Sequence, residues 1–140
     1  MKLALPTLVA LAIFGMTTEA PGEEAKGDAQ KIQGDWIAIY IALGGSEQEL
    51  PSGDERKLKI TADKMEPTVN GPGTTCKLGV ENGLTTIDST TKEGKTLKGI
   101  YELHGNLLIL CFPLRHDADR PKDISSAGKR VLTIMKREKR

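Results

Sequence analysis

The sequence has few aromatic residues, few cysteines and almost no net charge. Its 140 residues include one Trp, two Tyr, two Phe and two Cys, and the formal net charge is +1 at pH 7. So balanced a charge does not favour binding to nucleic acid or to an anionic membrane surface. The length predicts one domain, and the apolar residues suffice for one mainly aliphatic core.

Motifs of common enzyme and metal chemistry are also missing from the sequence. It has no phosphate-binding glycine loop, no spacing of zinc ligands and no paired catalytic carboxylates. We therefore predict no catalytic residues, no metal and no cofactor. The densest polar cluster is R-H-D-A-D-R, from Arg115 to Arg120. His116 with Asp117 and Asp119 suits a metal site or an acid–base pair, whereas a solvated loop explains the same residues without a function.

The first residues have the pattern of an export signal. Lys2 precedes an apolar run from Leu3 to Phe14, so we predict a signal peptide over residues 1–20 and a periplasmic or extracellular protein. A buried helix is the alternative. The run is shorter than the roughly 20 residues that span a bilayer. Cleavage after Ala20 is hindered by Pro21, and cleavage after Thr17 is the other option. Membrane attachment follows only if this leader is retained.

After a polar linker at residues 21–31, residues 32–138 have the pattern of an all-β domain. Short apolar or alternating segments recur about every ten residues between turns, as in β-sandwiches and β-barrels. Eight strands are predicted, which fits an antiparallel up-and-down barrel whose interior is filled or holds one small ligand. The predicted strands are Trp36 to Leu43, Arg56 to Ala62, Met65 to Val69, Thr74 to Val80, Leu84 to Ser89, two strands within Gly94 to Phe112, and Arg130 to Arg137.

The segment from Gly94 to Phe112 predicts a hairpin with its turn at His104-Gly105. Residues of one face alternate along each strand, so this register defines an inward set. Cys111 then faces outward while Cys76 faces inward, which argues against a disulfide between them. The inward set is Leu97, Tyr101, Leu103, Leu108, Leu110 and Phe112.

Several strings resemble a known family. They are G-K-T-L-x-G-I-Y-E-L-x-G-x-x-L-x-L-C-F, I-Q-G-D-W, R-P-K-D-I-S-S and V-L-T-I-M-K-R-E. Together they resemble the uncharacterised lipocalin-like domain family that is abundant in planctomycete bacteria. The resemblance implies a small antiparallel (calycin-like) barrel in an exported protein and implies no established activity. One departure is Ile109, where such sequences usually have a polar residue.

Gly34-x-Trp36 resembles the G-x-W signature of lipocalins at the start of the first strand. A large ring there would close the barrel floor, and glycine would let the chain pass close beneath it. An antiparallel last strand ends where the first begins, so Lys136 or Arg137 should lie near Trp36. We favour Arg137 over the indole face, because a guanidinium stacks well on a ring and because the resemblance to lipocalins implies the same arrangement.

The favoured function is non-enzymatic binding of a small apolar ligand. The alternative is a structural or protein-interaction module of the cell envelope, with a protein partner or self-association; an enzyme is least favoured. Interior volume separates the first two, since small residues leave room and aromatic residues fill it. The predicted interior residues are Trp36, Ala38, Tyr40, Leu58, Ile60, Leu78, Gly99, Tyr101, Leu110 and Phe112.

Further apolar residues are predicted on the outer wall. Ile37, Ile39 and Ile41 would form one strip, and Ile109 with Leu107 a second one on a separate strand. The segment from Pro113 to Gly128 is the predicted cover for Ile109. A helical turn within residues 23–31 is the predicted cover for the first strip, and another subunit is the remaining option.

Overall fold

The computed structural model describes residues 27–50, 52–67 and 73–138. Residues 27–31 are helical and Gly53–Arg56 form a short 3-10 helix. The remaining elements are strands: β1 (Gly34–Leu43), β2 (Ser46–Glu47), β3 (Lys57–Ile60), β4 (Lys64–Pro67), β5 (Thr74–Glu81), β6 (Leu84–Thr90), β7 (Thr96–His104), β8 (Leu107–Pro113) and β9 (Arg130–Arg137).

The strands form a closed antiparallel barrel. Neighbours in sequence pair from β3 to β9, and β1 closes the ring by pairing with β9 on one side and β3 on the other. The eight-stranded barrel predicted from the sequence is therefore confirmed. The two-residue β2 is an extra strand, folded back on the end of β1 between the first two predicted strands. We call the end where β1 begins the lower end and the opposite end the upper end.

The β7–β8 hairpin has a different turn from the predicted one. His104 pairs with Leu107, so the turn residues are Gly105 and Asn106, not His104 and Gly105. Gly105 has a φ of +60°, as glycine can adopt at the first central position of a hairpin turn. The register moves by two residues, and a shift of two leaves every side chain on its predicted face.

A β-bulge changes the faces of β1. Ala38 lies opposite Met135 and Tyr40 lies opposite Ile134, so Ile39 has no partner on β9. An extra residue reverses the alternation that follows it. Tyr40 therefore faces outward, which contradicts its predicted place in the interior. Ile41 packs against the core and corrects the prediction that it faces outward.

The segment between β8 and β9 covers part of the outer wall. Cys111 on β8 is fully buried, and its Sγ lies 3.2 Å from the carbonyl oxygen of Ser125. Ile100, the partner of Cys111 on β7, is also buried. The predicted cover exists, but it lies over Cys111 while Ile109 stays half-buried.

The outer apolar residues form one strip instead of two. Tyr40, Ile134 and Ile109 are consecutive cross-strand partners on β1, β9 and β8. Two strips were predicted because β1 and β8 are not adjacent, but Ile134 on β9 lies between them and joins the strips. Ile39 at the bulge keeps 42% of its surface exposed, so the predicted cover is not found over it among the described residues.

The predicted signal peptide and residues 21–26 of the predicted linker lie outside the described residues. Among the residues described, no helical segment has the length and apolar character needed to cross a bilayer.

Candidate functional site

The lower end of the barrel is closed around Trp36. The indole is fully buried, and its Nε1 donates a hydrogen bond of 2.8 Å to the carbonyl oxygen of Ile32. Ile32 belongs to the core and follows directly on the helical residues 27–31. The Tyr101 hydroxyl donates to Asp28 Oδ2 over 2.7 Å, which ties the helical turn to β7. The turn thus seals this end and does not lie over the outer strip.

Arg137 covers the indole from below, at the predicted position. Its guanidinium carbon lies 4.3 Å from the centroid of the Trp36 ring. Nη1 donates to the carbonyl oxygen of Gln33 over 2.8 Å, and Nη2 donates to that of Lys31 over 2.7 Å. One side chain therefore combines a cation–π contact with two charge-assisted hydrogen bonds.

Gly34 leaves the space that Arg137 uses. A Cβ at this position would lie 2.8 Å from Arg137 Nη1, and the φ of Gly34 is +135°. Both the close approach and the backbone conformation require glycine. This explains the Gly34-x-Trp36 spacing, because Gly34 leaves space for the Arg137 guanidinium and Trp36 provides the ring on which it stacks.

The interior candidates fall into four groups. Most are buried in the core, while Leu58 and Leu78 are half-buried against it. Gly99 is buried on the wall, and Tyr40 lies outside the barrel. The candidates in the core are Trp36, Ala38, Ile60, Tyr101, Leu110 and Phe112.

The room expected beside Gly99 is filled by an aromatic ring. A Cβ on Gly99 would lie 2.6 Å from Phe112 Cδ1 and 2.8 Å from the carbonyl oxygen of Cys111. Both distances are too short for a real Cβ, so Phe112 packs directly on the glycine backbone. Gly99 therefore makes room for the ring of Phe112 on the neighbouring strand β8, and no cavity is left beside the glycine.

Above Phe112 the interior remains open towards solvent. Ile41, Leu97 and Val131 pack on the core but are only partly buried, and Leu43 is 39% exposed. A cavity of about 350 Å³ opens beside Leu97, within the usual size of a small-molecule site. Its other lining residues are Thr91, Lys95, Leu114, Arg115, His116 and Asp117. We call this region the upper mouth.

Sequence reasoning missed two residues of the upper mouth. Val131 alternates with Thr133 and Met135 on β9, so the period of two carried the signal for its inward face. Ile41 was hidden by the bulge at Ile39, because a bulge leaves no mark in apolar periodicity.

The polar cluster between Arg115 and Arg120 divides in the structure. Arg115 binds Asp117 with Nε and Nη2 at 3.2 and 3.0 Å. These hydrogen bonds and the nearby positive charge lower the pKa of Asp117. Within the described part of the chain, no three His, Cys, Asp or Glu side chains are grouped closely enough to hold a metal ion.

Arg120 turns away from the cluster and onto the barrel wall. Nη1 lies 2.6 Å from Asp88 Oδ1 and 2.9 Å from the carbonyl oxygen of Gly99, and Nε lies 3.1 Å from Glu81 Oε1. Burial alone would lower the pKa of Arg120, but the two carboxylates raise it overall. The sequence held one signal of this contact, because aspartate in mid-strand, as at Asp88, is uncommon.

The two cysteines lie on opposite faces of the wall, as the alternation predicted. Cys76 packs against the core and Cys111 lies beneath the segment that follows β8, and both are free thiols. Burial raises the pKa of Cys76, and the negative charge of Asp63 adds to the effect.

Comparison with known proteins adds no relative. The chain matches no protein-family model, no curated protein and no solved structure. The resemblance to lipocalin-like domains therefore stays a prediction.

Proposed function

We propose that the protein is an exported, non-enzymatic barrel that binds a small apolar ligand at its upper mouth. The observation that carries this proposal is the partial exposure of inward-facing aliphatic side chains above Phe112. Side chains on this face of a barrel would normally be buried, and apolar surface left in contact with water favours a ligand that covers it.

The proposal narrows the set of ligand-contacting residues. Trp36, Tyr101 and Leu110 are sealed in the core, so they support the site without reaching its ligand. Leu97 lines the cavity. Val131 and Phe112 are cross-strand partners on the inward face of the neighbouring strands. Export follows from the predicted leader, and the ligand is supplied from outside the barrel through the mouth.

Two matched lysine substitutions test this proposal. Leu97→Lys places a charge in the mouth, and Ile39→Lys makes the same kind of change at an exposed position on the outer wall. We expect Leu97→Lys to weaken binding of the apolar dye N-phenylnaphthylamine about tenfold or more, because a charge is costly in an apolar site. Ile39→Lys should leave dye binding unchanged. Native mass spectrometry of protein from its own host should show a retained apolar molecule.

Equal dye affinity in both variants, or no dye binding by the unmodified protein, would remove the mouth as a ligand site. An enclosed ligand in the lower half of the barrel would also contradict the proposal, because that space is occupied by side chains.

A second candidate function is self-association through the outer strip of Tyr40, Ile134 and Ile109. These three side chains are half-buried on adjacent strands, and the exposed Ile39 precedes Tyr40, so together they leave apolar surface in contact with water of the kind that marks interaction surfaces. Charges beside the strip suit a second copy of the same chain. Lys136 on β9 has no partner among the described residues, and Glu102 lies at the β7 side of the strip. A two-fold contact can place Glu102 of one copy opposite Lys136 of the other.

Ile39→Lys also tests this second function. Since Ile39 is 42% exposed, we expect the free energy of unfolding to change by no more than about 0.5 kcal/mol. Sedimentation velocity should show that self-association falls, whereas Leu97→Lys should leave it unchanged. A monomeric unmodified protein at high concentration would exclude self-association as the function of the strip.

A further inference from the structure

A second cavity lies outside the barrel, between the wall and the segment that carries Arg120. Its volume is about 600 Å³, which is within the range of ligand sites and larger than one amino acid needs. It is separate from the upper mouth and shares no lining residue with it. The lining residues are Glu81, Asn82, Leu84, Lys98, Asp119, Arg120, Pro121 and Lys122. We call this cavity the Arg120 cleft.

Arg120 holds the two sides of the cleft together and uses up two carboxylates. Asp88 and Glu81 both bind its guanidinium, and the side chain is only 14% exposed. These two ion pairs hold Arg120 against the barrel wall, and both carboxylates are engaged by Arg120 and not by the other cations of the cleft.

Two ammonium groups of the cleft have no partner in the structure. Lys98 lies directly opposite Asp88 on the neighbouring strand, but the Asp88 carboxylate binds Arg120 instead. Lys122 lies two residues after Arg120. Among the described residues, neither lysine has a hydrogen bond or an ion pair.

The cleft also holds an unpaired negative charge and an apolar surface. Asp119 is exposed and has no partner among the residues described. Leu84 is half-buried and offers carbon surface to a ligand, and the buried Pro121 adds a small apolar part to the lining. A simple anion would match the lysines and be repelled by Asp119, and a simple cation would meet the opposite mismatch. A ligand with one group of each charge satisfies both.

We propose that the Arg120 cleft binds a short peptide that carries both an ammonium and a carboxylate group. The carboxylate meets Lys98 and Lys122, and the ammonium group meets Asp119. An apolar side chain between them packs on Leu84 and Pro121. This is a peptide site on the outer wall, in addition to the apolar site of the mouth.

The test uses three forms of the tripeptide Ala-Leu-Ala: with free ends, N-acetylated, and C-amidated. In an amide chemical-shift titration of the whole protein, the peptide with free ends should shift the resonances of Leu84 and of the residues on either side of Pro121. Acetylation or amidation should each weaken binding about two- to fivefold, the scale of an exposed ion pair.

Variants then assign each charge. Asp119→Asn should lower the affinity for the peptide with free ends to the affinity that the unmodified protein has for the acetylated peptide. In this variant, acetylation of the peptide should lower the affinity no further. The double variant Lys98→Gln and Lys122→Gln should bind the peptide with free ends only as well as the unmodified protein binds the amidated peptide, and amidation should then lower the affinity no further. Lys92→Gln, a surface lysine outside the cleft, should change neither affinity.

Several outcomes would overturn the proposal. They are the absence of any shift with the free peptide, equal binding of all three peptides, and additive losses on combining acetylation with Asp119→Asn. The apolar dye of the mouth should bind equally to all these variants, so failure here is distinguishable from failure of the ligand proposal.

Discussion

The lower end and the upper end of the barrel are made from similar apolar strands but are finished differently. At the lower end, a helical turn, Trp36 and Arg137 form a layered closure. At the upper end, Leu97 and Val131 point inward and are still partly exposed. No closure like the one around Trp36 is found over them in the described part of the chain.

This difference separates stability from binding within one small domain. The lower closure ties residues near both ends of the described chain to the core, so its contacts hold the barrel together. Sites of binding need a rigid support but also accessible surface, and they are therefore found where local stability is lower. The lower end supplies the rigid support, and the upper end keeps apolar surface accessible for binding.

The largest expected effect is at the closed end. Trp36→Ala should destabilise the protein by about 3–5 kcal/mol, because it removes a large buried side chain and leaves a cavity above Arg137. Leu97→Ala at the upper mouth should cost only about 1 kcal/mol, because Leu97 is already partly exposed. Urea unfolding followed by circular dichroism measures both, since Trp36 is the only tryptophan and its fluorescence is lost in the variant. Equal losses would mean that the two ends do not differ in stability.

A smaller effect is expected at Gly99, on the boundary between the two regions. Gly99→Ala should destabilise by about 1–3 kcal/mol, because the new Cβ would overlap the Phe112 ring. Phe112→Leu should relieve this overlap, so the double variant should be more stable than the sum of the two single changes predicts. Thermal unfolding of the four proteins completes the cycle. Additive losses would show that Gly99 is required for its backbone alone.

The architecture was predictable because a period of two survives small errors. The hairpin turn was placed one residue early, which shifted the pairing by two residues, and the inward set of β7 and β8 stayed correct. The contact of Arg137 with Trp36 followed from strand direction and ring chemistry, together with the resemblance to lipocalins. These predictions depend on local pattern and antiparallel order, both of which the sequence carries.

The missed features depend on irregular backbone and on distant partners. The bulge at Ile39 exchanged the faces of Tyr40 and Ile41, and nothing in their apolar character records it. Arg120 reaches Asp88 across 32 residues, so no spacing rule could join them. For the same reason the Arg120 cleft could not be foreseen from the polar cluster that contains its central residue.

The smallest effect concerns the two cysteines, whose difference in burial can be measured by thiol labelling without changing the protein's stability. Cys111 is fully buried, whereas Cys76 is half-buried on the interior face of β5. We expect a thiol reagent to label Cys76 slowly in the native protein and to label Cys111 only on unfolding. Because burial and then Asp63 raise the pKa of Cys76, its labelling rate should keep rising with pH beyond the range of a free thiol.

The sign of the linked stability follows from this direction. The raised pKa of Cys76 means that the folded state favours the neutral thiol. The contribution of this thiol to the free energy of unfolding is therefore complete below the pKa of the unfolded state, and it is lost as pH rises through the pKa of the folded state. Asp63→Asn should move the labelling profile of Cys76 towards lower pH by a small amount, because burial is the larger cause. An apolar ligand in the mouth should slow Cys76 labelling further and leave Cys111 unaffected. Native labelling of both thiols at one rate would show that the wall opens as a whole and that the difference in burial between Cys76 and Cys111 does not control their reactivity.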